Sequence, residues 1–203
     1  MKYALKEWDT TIESLGQGKI IAIWRKGGLN ENFTVEQKKF ILFPTFNHES
    51  KDKIKEYFLS PQTQDFGPNK DNQIKIKYFA EVHETLTVNT FEELLRISSE
   101  LIHTEDHLRY LWDLSGNEQG KILLLRVYIL CNPILIKNSP EYSGCKSWTR
   151  LSVDIPKTGS KAVLSFKDFQ YKVRLFHRLL DEVKESIPIE TLHEKSLLST
   201  VKP

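Results

Sequence analysis

Apolar positions along the chain follow two periods, and the switches between them predict the elements. Leu5, Trp8, Ile12 and Leu15 are spaced by three, four and three residues, which predicts a helix with one buried stripe, stopped at Gly16 and Gly18. Lys19 to Arg25 (KIIAIWR) is apolar without clean alternation and predicts a strand covered on both faces. Phe40 to Phe43 predicts a second strand, stopped by Pro44 and paired with the first. Asp52 to Leu59 predicts a short helix with Ile54, Tyr57 and Phe58 inward, and the Pro- and Gly-bearing run Ser60 to Asn72 a surface loop.

Gln73 to Val88 alternates, as a half-exposed strand does, which sets His83 and Glu84 on opposite faces. Asn89 or Thr90 caps a helix from Phe91 to about Ile102, and Thr104 caps a second one ending in LRYLWDL. The organising stretch is Gly120 to Val153, read as a central strand, a Pro-marked turn and a second strand. Val163 and Leu164 extend a short strand, and Ser165 caps the last helix. There Phe166, Phe169, Val173, Phe176, Leu180 and Val183 make the cleanest amphipathic stripe in the chain.

These elements predict an α+β fold. A mixed, partly closed, barrel-like β-sheet is flanked by an N-terminal helix, a middle helical pair and a long C-terminal amphipathic helix. Residues 1–187 are expected to form a single domain and 188–203 a polar tail.

Composition narrows the chemistry. The chain has 203 residues, 39% hydrophobic and 28% charged, with a formal net charge of +2, so no global basic field marks it for nucleic acid. Its two cysteines, Cys131 and Cys145, are too few for a disulfide framework and form no CxxC pair, which points to a reducing, cytoplasmic setting. The start, MKYALKEWDT, lacks the apolar run of a signal peptide, and no segment is apolar for the ~20 residues of a membrane span. His103 and His107 are four apart, but a cap at Thr104 leaves His103 outside the helix, so no metal site is expected, and no cofactor.

The candidate site residues sit at strand ends and turns. Lys26-Gly27-Gly28 after Arg25 is either an anion-holding turn or a plain hairpin turn. Thr45 and His48 follow the second strand. Arg126 is a lone charge in the most apolar strand, to be paired with a carboxylate such as Glu7 or Glu81 or displayed to an anion. Tyr142 to Trp148 brings Cys145, Lys146 and Ser147 between two aromatics that could stack a base. Cys145 is a nucleophile if His48 or another base lowers its pKa, and otherwise a packing residue.

Several short motifs occur in a specific order: Leu5-Lys6-Glu7-Trp8, Arg25-Lys26-Gly27-Gly28, Phe43-Pro44-Thr45 with His48, Arg126-Val127-Tyr128, then Tyr142 and Gly144-Cys145-Lys146-Ser147-Trp148. Over roughly Tyr3 to Leu151 the chain thereby resembles the bacterial domain-of-unknown-function family 1802. The resemblance implies no established activity. The chain departs from the family pattern in carrying Glu49 where a glutamine is expected.

Two functional readings follow. In the first, Arg25, Lys26, Gly28, Thr45, His48, Arg126, Tyr142, Lys146, Ser147 and Trp148 converge on one pocket that binds a nucleotide or single-stranded nucleic acid. In the second, the chain is a hydrolase of a bacterial defence or toxin system, either nuclease-like around Glu36-Gln37-Lys38 or dependent on Cys145 with His48. Whether it is an enzyme stays open at this stage.

Overall fold

The computed structural model describes residues 1–25, 33–59, 68, 71–114, 119–144 and 146–181. Among the described residues seven strands form one mixed sheet: β1 (Tyr3–Trp8), β2 (Ala22–Arg25), β3 (Lys39–Thr45), β4 (Gln73–Val88), β5 (Gly120–Lys137), β6 (Trp148–Arg150) and β7 (Lys161–Ala162). The helices among the described residues are α1 (Asp9–Gly16), α2 (Phe91–Arg96), α3 (Glu105–Leu114) and α4 (Phe166–Asp181). The strand order is β2-β5-β4-β3-β1-β6, with β7 beside β5. β1 and β3 run parallel and every other pair is antiparallel. The fold is α+β, and the sheet curls into a half-barrel.

Alternation within the strands builds a core on each side of this sheet. Leu123, Leu125 and Val127 of β5 point into one cluster with Phe40 and Leu42 of β3, Leu5 of β1, and Ile12 and Leu15 of α1. Ile122 and Leu124 point the other way, against Leu94 of α2, Leu108 and Trp112 of α3, and Phe169, Val173 and Phe176 of α4. Farther along that side, Ile41 and Phe43 meet Ile76, Ile136 and Tyr142. Cover on both faces is why these strands read as continuous apolar runs.

Several sequence expectations need correction. Tyr3–Trp8 is a strand, and the N-terminal helix occupies only Asp9–Gly16. β1 lies between β3 and β6, with Leu5 opposite both Leu42 and Trp148, so ladders on both edges outweigh the helical spacing. β2 starts at Ala22 and pairs with β5, while β3 pairs with β1 and β4. Pro44 lies inside β3. The β4 ladder leaves β3 after Ile41, and an unpaired edge tolerates a residue without an N–H.

In the same way β5 runs straight through Pro133, because its register with β4 slips between the Ile76 and Tyr78 pairs. The extra β5 residues form a bulge that leaves Pro133 outside the ladder. The second strand of the organising stretch, β6, is therefore on the opposite edge of the sheet. A further slip between Val82 and Glu84 breaks the alternation of β4. His83 meets Phe169 edge-on, and Glu84 pairs with His177 Nε2 at 2.9 Å, so both reach α4 and not opposite faces.

Residues 52–59 form no helix but two 3-10 turns, Lys51–Lys53 and Glu56–Phe58. Ile54 between them bridges His103, Ile54 and Phe58 are buried, and Tyr57 is 72% exposed and not inward. α2 ends at Arg96, followed by a 3-10 turn at Ser98–Glu100. The last short strand is Lys161–Ala162 and not Val163–Leu164. Phe166 begins α4 fully in the helix yet 72% exposed, so the buried stripe starts at Phe169. Thr90 and Ser165 do cap their helices, through the backbone N–H groups of Glu93 and Asp168. The loop expected at 60–72, the turn at 115–117 and the tail from 188 lie wholly or mostly outside the described residues. No helix among the described residues is long and apolar enough to cross a membrane.

Candidate functional site

The curl brings the two ends of the sheet near each other, and a side chain bridges them. Arg25, the last residue of β2, donates from Nη2 to the Lys6 carbonyl of β1 and lies 2.7 Å from Glu7 Oε2. Its Nε is buried without a partner among the described residues. The guanidinium also covers the Phe33 ring at 5.8 Å, and Phe33 stacks on Trp148 of β6. Beside this seam opens a cleft of about 170 Å³ lined by Lys6, Glu7, Trp8, Arg25, Thr45, Asn47, His48, Gly144, Lys146 and Ser147.

Each wall has a local cause. Lys6 is 7% exposed because its ammonium donates to the Tyr142 carbonyl at 2.7 Å and to that of Gly144, which ties the turn before β6 to β1. The Lys6 N–H reaches the Ser147 carbonyl at 2.8 Å, so Lys146 and Ser147 are held at the rim. Gly144 takes φ +85, where its lack of Cβ removes the strain. His48 adopts a left-handed φ of 62, uncommon outside glycine, and Lys53 Nζ donates to its carbonyl at 2.9 Å. Lys146 has no hydrogen-bond or ion-pair partner among the described residues, so its charge stays available.

The back of the cleft is Trp8. Its Nε1 donates to the Asn47 carbonyl at 3.1 Å, its ring stacks on His107 at 5.4 Å, and His103 meets it edge-on at 5.1 Å. Burial, reinforced by His107, Arg25 and Lys55, pushes His103 down to about 3, so it is neutral at pH 7. Burial also lowers His107, with Lys53 adding and Asp52 opposing. Both imidazoles support the Trp8 ring from behind. No group of three or more His, Cys, Asp or Glu among the described residues is placed to hold a metal ion.

Behind His48, Glu49 caps α1 from another part of the chain. Its carboxylate accepts from the Thr10 N–H at 2.9 Å and the Asp9 N–H at 3.3 Å. Burial nevertheless lifts it to about 7, the hydrogen bonds only partly offsetting the lost hydration, and lifts Asp9 to about 6 with help from Glu13. A raised carboxyl favours the fold while protonated. Glu49's contribution is complete below its ordinary 4.5 and is lost as pH rises through about 7. The melting temperature of Glu49→Gln relative to the unaltered chain should therefore climb across that window, by the equivalent of about 1–3 kcal/mol. A difference that stays constant with pH would show that Glu49 does not titrate there.

The cleft thus collects Arg25, Thr45, His48, Lys146 and Ser147 of the residues singled out in the sequence. Arg126 is elsewhere: its Nη1 donates to the Ser165 carbonyl at 3.1 Å and its guanidinium covers Phe169 at 4.9 Å. The carboxylates suggested as its partners pair with other cations, Glu7 with Arg25 and Glu81 with Lys39. Tyr142 is 4% exposed, with its ring on Phe43 and its hydroxyl bonded to Ser152. Trp148 packs edge-on against Phe40 on the opposite side of the sheet and donates to the Thr34 carbonyl. The two rings accordingly do not flank a common space. Lys26, Gly28 and Cys145 lie outside the described residues. Glu36 and Lys38 are exposed and precede β3, on no strand.

Lys6, Glu7, Trp8 and Asn47 are cleft residues that residue patterns alone did not reveal. A helix reading of Leu5–Leu15 hid the first three, although they form the first motif of the resemblance. The family model described as "Domain of unknown function (DUF1802)" matches residues 4–174, from the start of β1 into α4. The chain belongs to the DUF1802 family. In fold this DUF1802 chain is similar to ASCH from Zymomonas mobilis, at 14% identity and a TM-score of 0.45 over 85% of this chain and 94% of that one. A serine-to-alanine mutant of the same ZmASCH protein gives 13% and 0.46, over 85% and 94%. A tyrosine-to-phenylalanine mutant gives 14% and 0.44, over 85% and 96%. No curated protein matches the chain.

Proposed function

We propose that the seam cleft binds the phosphate of a nucleotide or of single-stranded nucleic acid. The observation that carries this reading is the meeting of Lys6, Arg25 and Lys146, from three distant segments, on one open concavity. Among the described lining residues the one carboxylate, Glu7, is held by Arg25, so these residues carry a positive surplus in a chain of near-neutral net charge. Hydroxyls of Thr45 and Ser147 and the imidazole of His48 add hydrogen-bonding groups around those cations. At about 170 Å³ the cleft suits a phosphate with its sugar and not a long strand.

Fluorescence anisotropy with labelled single-stranded RNA and DNA, and competition by mononucleotides, tests this. Two or three phosphate contacts predict an affinity that falls about 7- to 20-fold between about 50 and 200 mM salt. Absence of binding to every probe at low salt would end the reading.

A further inference from the structure

Arg126 lines a second depression, of about 380 Å³, formed by β4, β5 and the start of α4. It shares no lining residue with the seam cleft. The guanidinium is oriented from two sides, by the Ser165 carbonyl on Nη1 and by the Phe169 ring beneath it. Its Nε and Nη2 have no hydrogen-bond partner among the described residues. Glu81 is opposite Arg126 across the strands, yet its carboxylate is 2.7 Å from Lys39 Nζ and forms no ion pair with Arg126. A cation inside an otherwise apolar strand is thus held in place with one edge of its fork open.

Glu81, Val82 and Gln170 also line the depression, and its remaining walls are aromatic. Tyr128 stands beside Arg126, its ring fixed by parallel stacking on Phe79 at 4.7 Å. Phe166 rises at the lip, 72% exposed, an unusual exposure for so large an apolar ring. His83 completes the wall, held edge-on against Phe169. Arg126 and Lys39 against Glu81 leave one positive charge, which matches a monoanion better than a doubly charged phosphate. The volume falls in the range of small-molecule pockets, roughly 300–1,000 Å³.

We propose that this depression is a binding site for an aromatic carboxylate. The carboxylate would take the Nε–Nη2 edge of Arg126, and the ring would lie against Phe166 and Tyr128. Such a group is offered by a small aromatic acid or by a peptide ending in an aromatic residue. NMR titration of the full chain, following the Arg126 Nε–H and the amides of Tyr128 and Phe166, separates the two. The probes are 3-phenylpropionate, N-acetylphenylalanine and the neutral 3-phenylpropionamide. Saturable shifts with dissociation constants of about 0.1–10 mM are expected for at least one acid and none for the amide. Shifts with both acids indicate a free-acid site, and with N-acetylphenylalanine alone a peptide terminus. Arg126→Gln should weaken the response about tenfold or more. Phe166→Ala, at an exposed side chain that does not hold the core, should weaken it several-fold with the fold intact. Equal shifts from the amide, no shift from either acid, or full binding by Phe166→Ala would overturn the proposal.

Discussion

Phe43→Ala is expected to lower the unfolding free energy by about 3–5 kcal/mol, the largest loss from any single truncation considered for this chain. Phe43 is 2% exposed in the middle of β3, opposite Lys6 of β1, with its ring 5.3 Å from that of Tyr142. Removing the ring opens a cavity in the cluster around Tyr142, and β3 is held there by its ladder to β1, so the surrounding core closes over it only in part. For a chain of this size the melting temperature should fall by roughly 10 °C. The effect should reach the cleft as well. Tyr142 loses the ring that seats it, and its carbonyl is one of the acceptors that hold Lys6 and the turn leading to Lys146. Phe43→Leu keeps most of the volume and should cost about 1 kcal/mol. A loss below about 1 kcal/mol for the alanine variant, by urea or thermal unfolding, would mean that the ring is not closely packed.

Arg25→Gln should damage stability and binding together, and the two can be separated. Glu7 is 11% exposed in its side chain and would lose the guanidinium 2.7 Å away. Stranding a partly buried charge costs about 2–4 kcal/mol after allowance for solvent at the cleft mouth. The Lys6 carbonyl would also lose its donor across the seam. The double variant Arg25→Gln with Glu7→Gln removes the stranded charge and should recover most of the stability. It should not recover nucleotide binding, which should stay at least about tenfold weaker, as expected for a lost charged hydrogen bond. Lys146→Gln, at a solvent-exposed residue, should weaken binding with no change in melting temperature. Full binding by both Arg25→Gln and Lys146→Gln would exclude the cleft as the phosphate site.

The parts of the fold that were legible were those whose pattern has one meaning. Residues 73–88 open on a clear alternation, with Ile74, Ile76 and Tyr78 buried around Lys75 and Lys77, and are a strand of those bounds. Thr90, Thr104 and Ser165 precede acidic first turns, and each begins a helix where a cap should. Leu5, Trp8, Ile12 and Leu15 carried two meanings, because residues three and four apart also fall on a strand followed by a helix. Pro44 and Pro133 misled for a related reason. A proline ends a strand only where its missing N–H would face a partner, and here an early-ending ladder and a bulge remove the partner. In the cleft, Arg25, Thr45, His48, Lys146 and Ser147 were legible because cations and hydroxyls at strand ends and turns stand out from an apolar core.

Local order alone decided that this is a mixed α+β chain with capped helices and strands covered on both faces, since those follow from period and caps within a dozen residues. Which strands are neighbours is set by contacts between segments far apart, and only the folded sheet decided it. That is why Arg126 and Arg25, both cations at strands in the sequence, face different depressions. The register and curl of the sheet send Arg25 across the seam to Lys6 and Arg126 against α4. No spacing along the chain encodes that separation, because side-chain direction depends on the partner strand as much as on the residue.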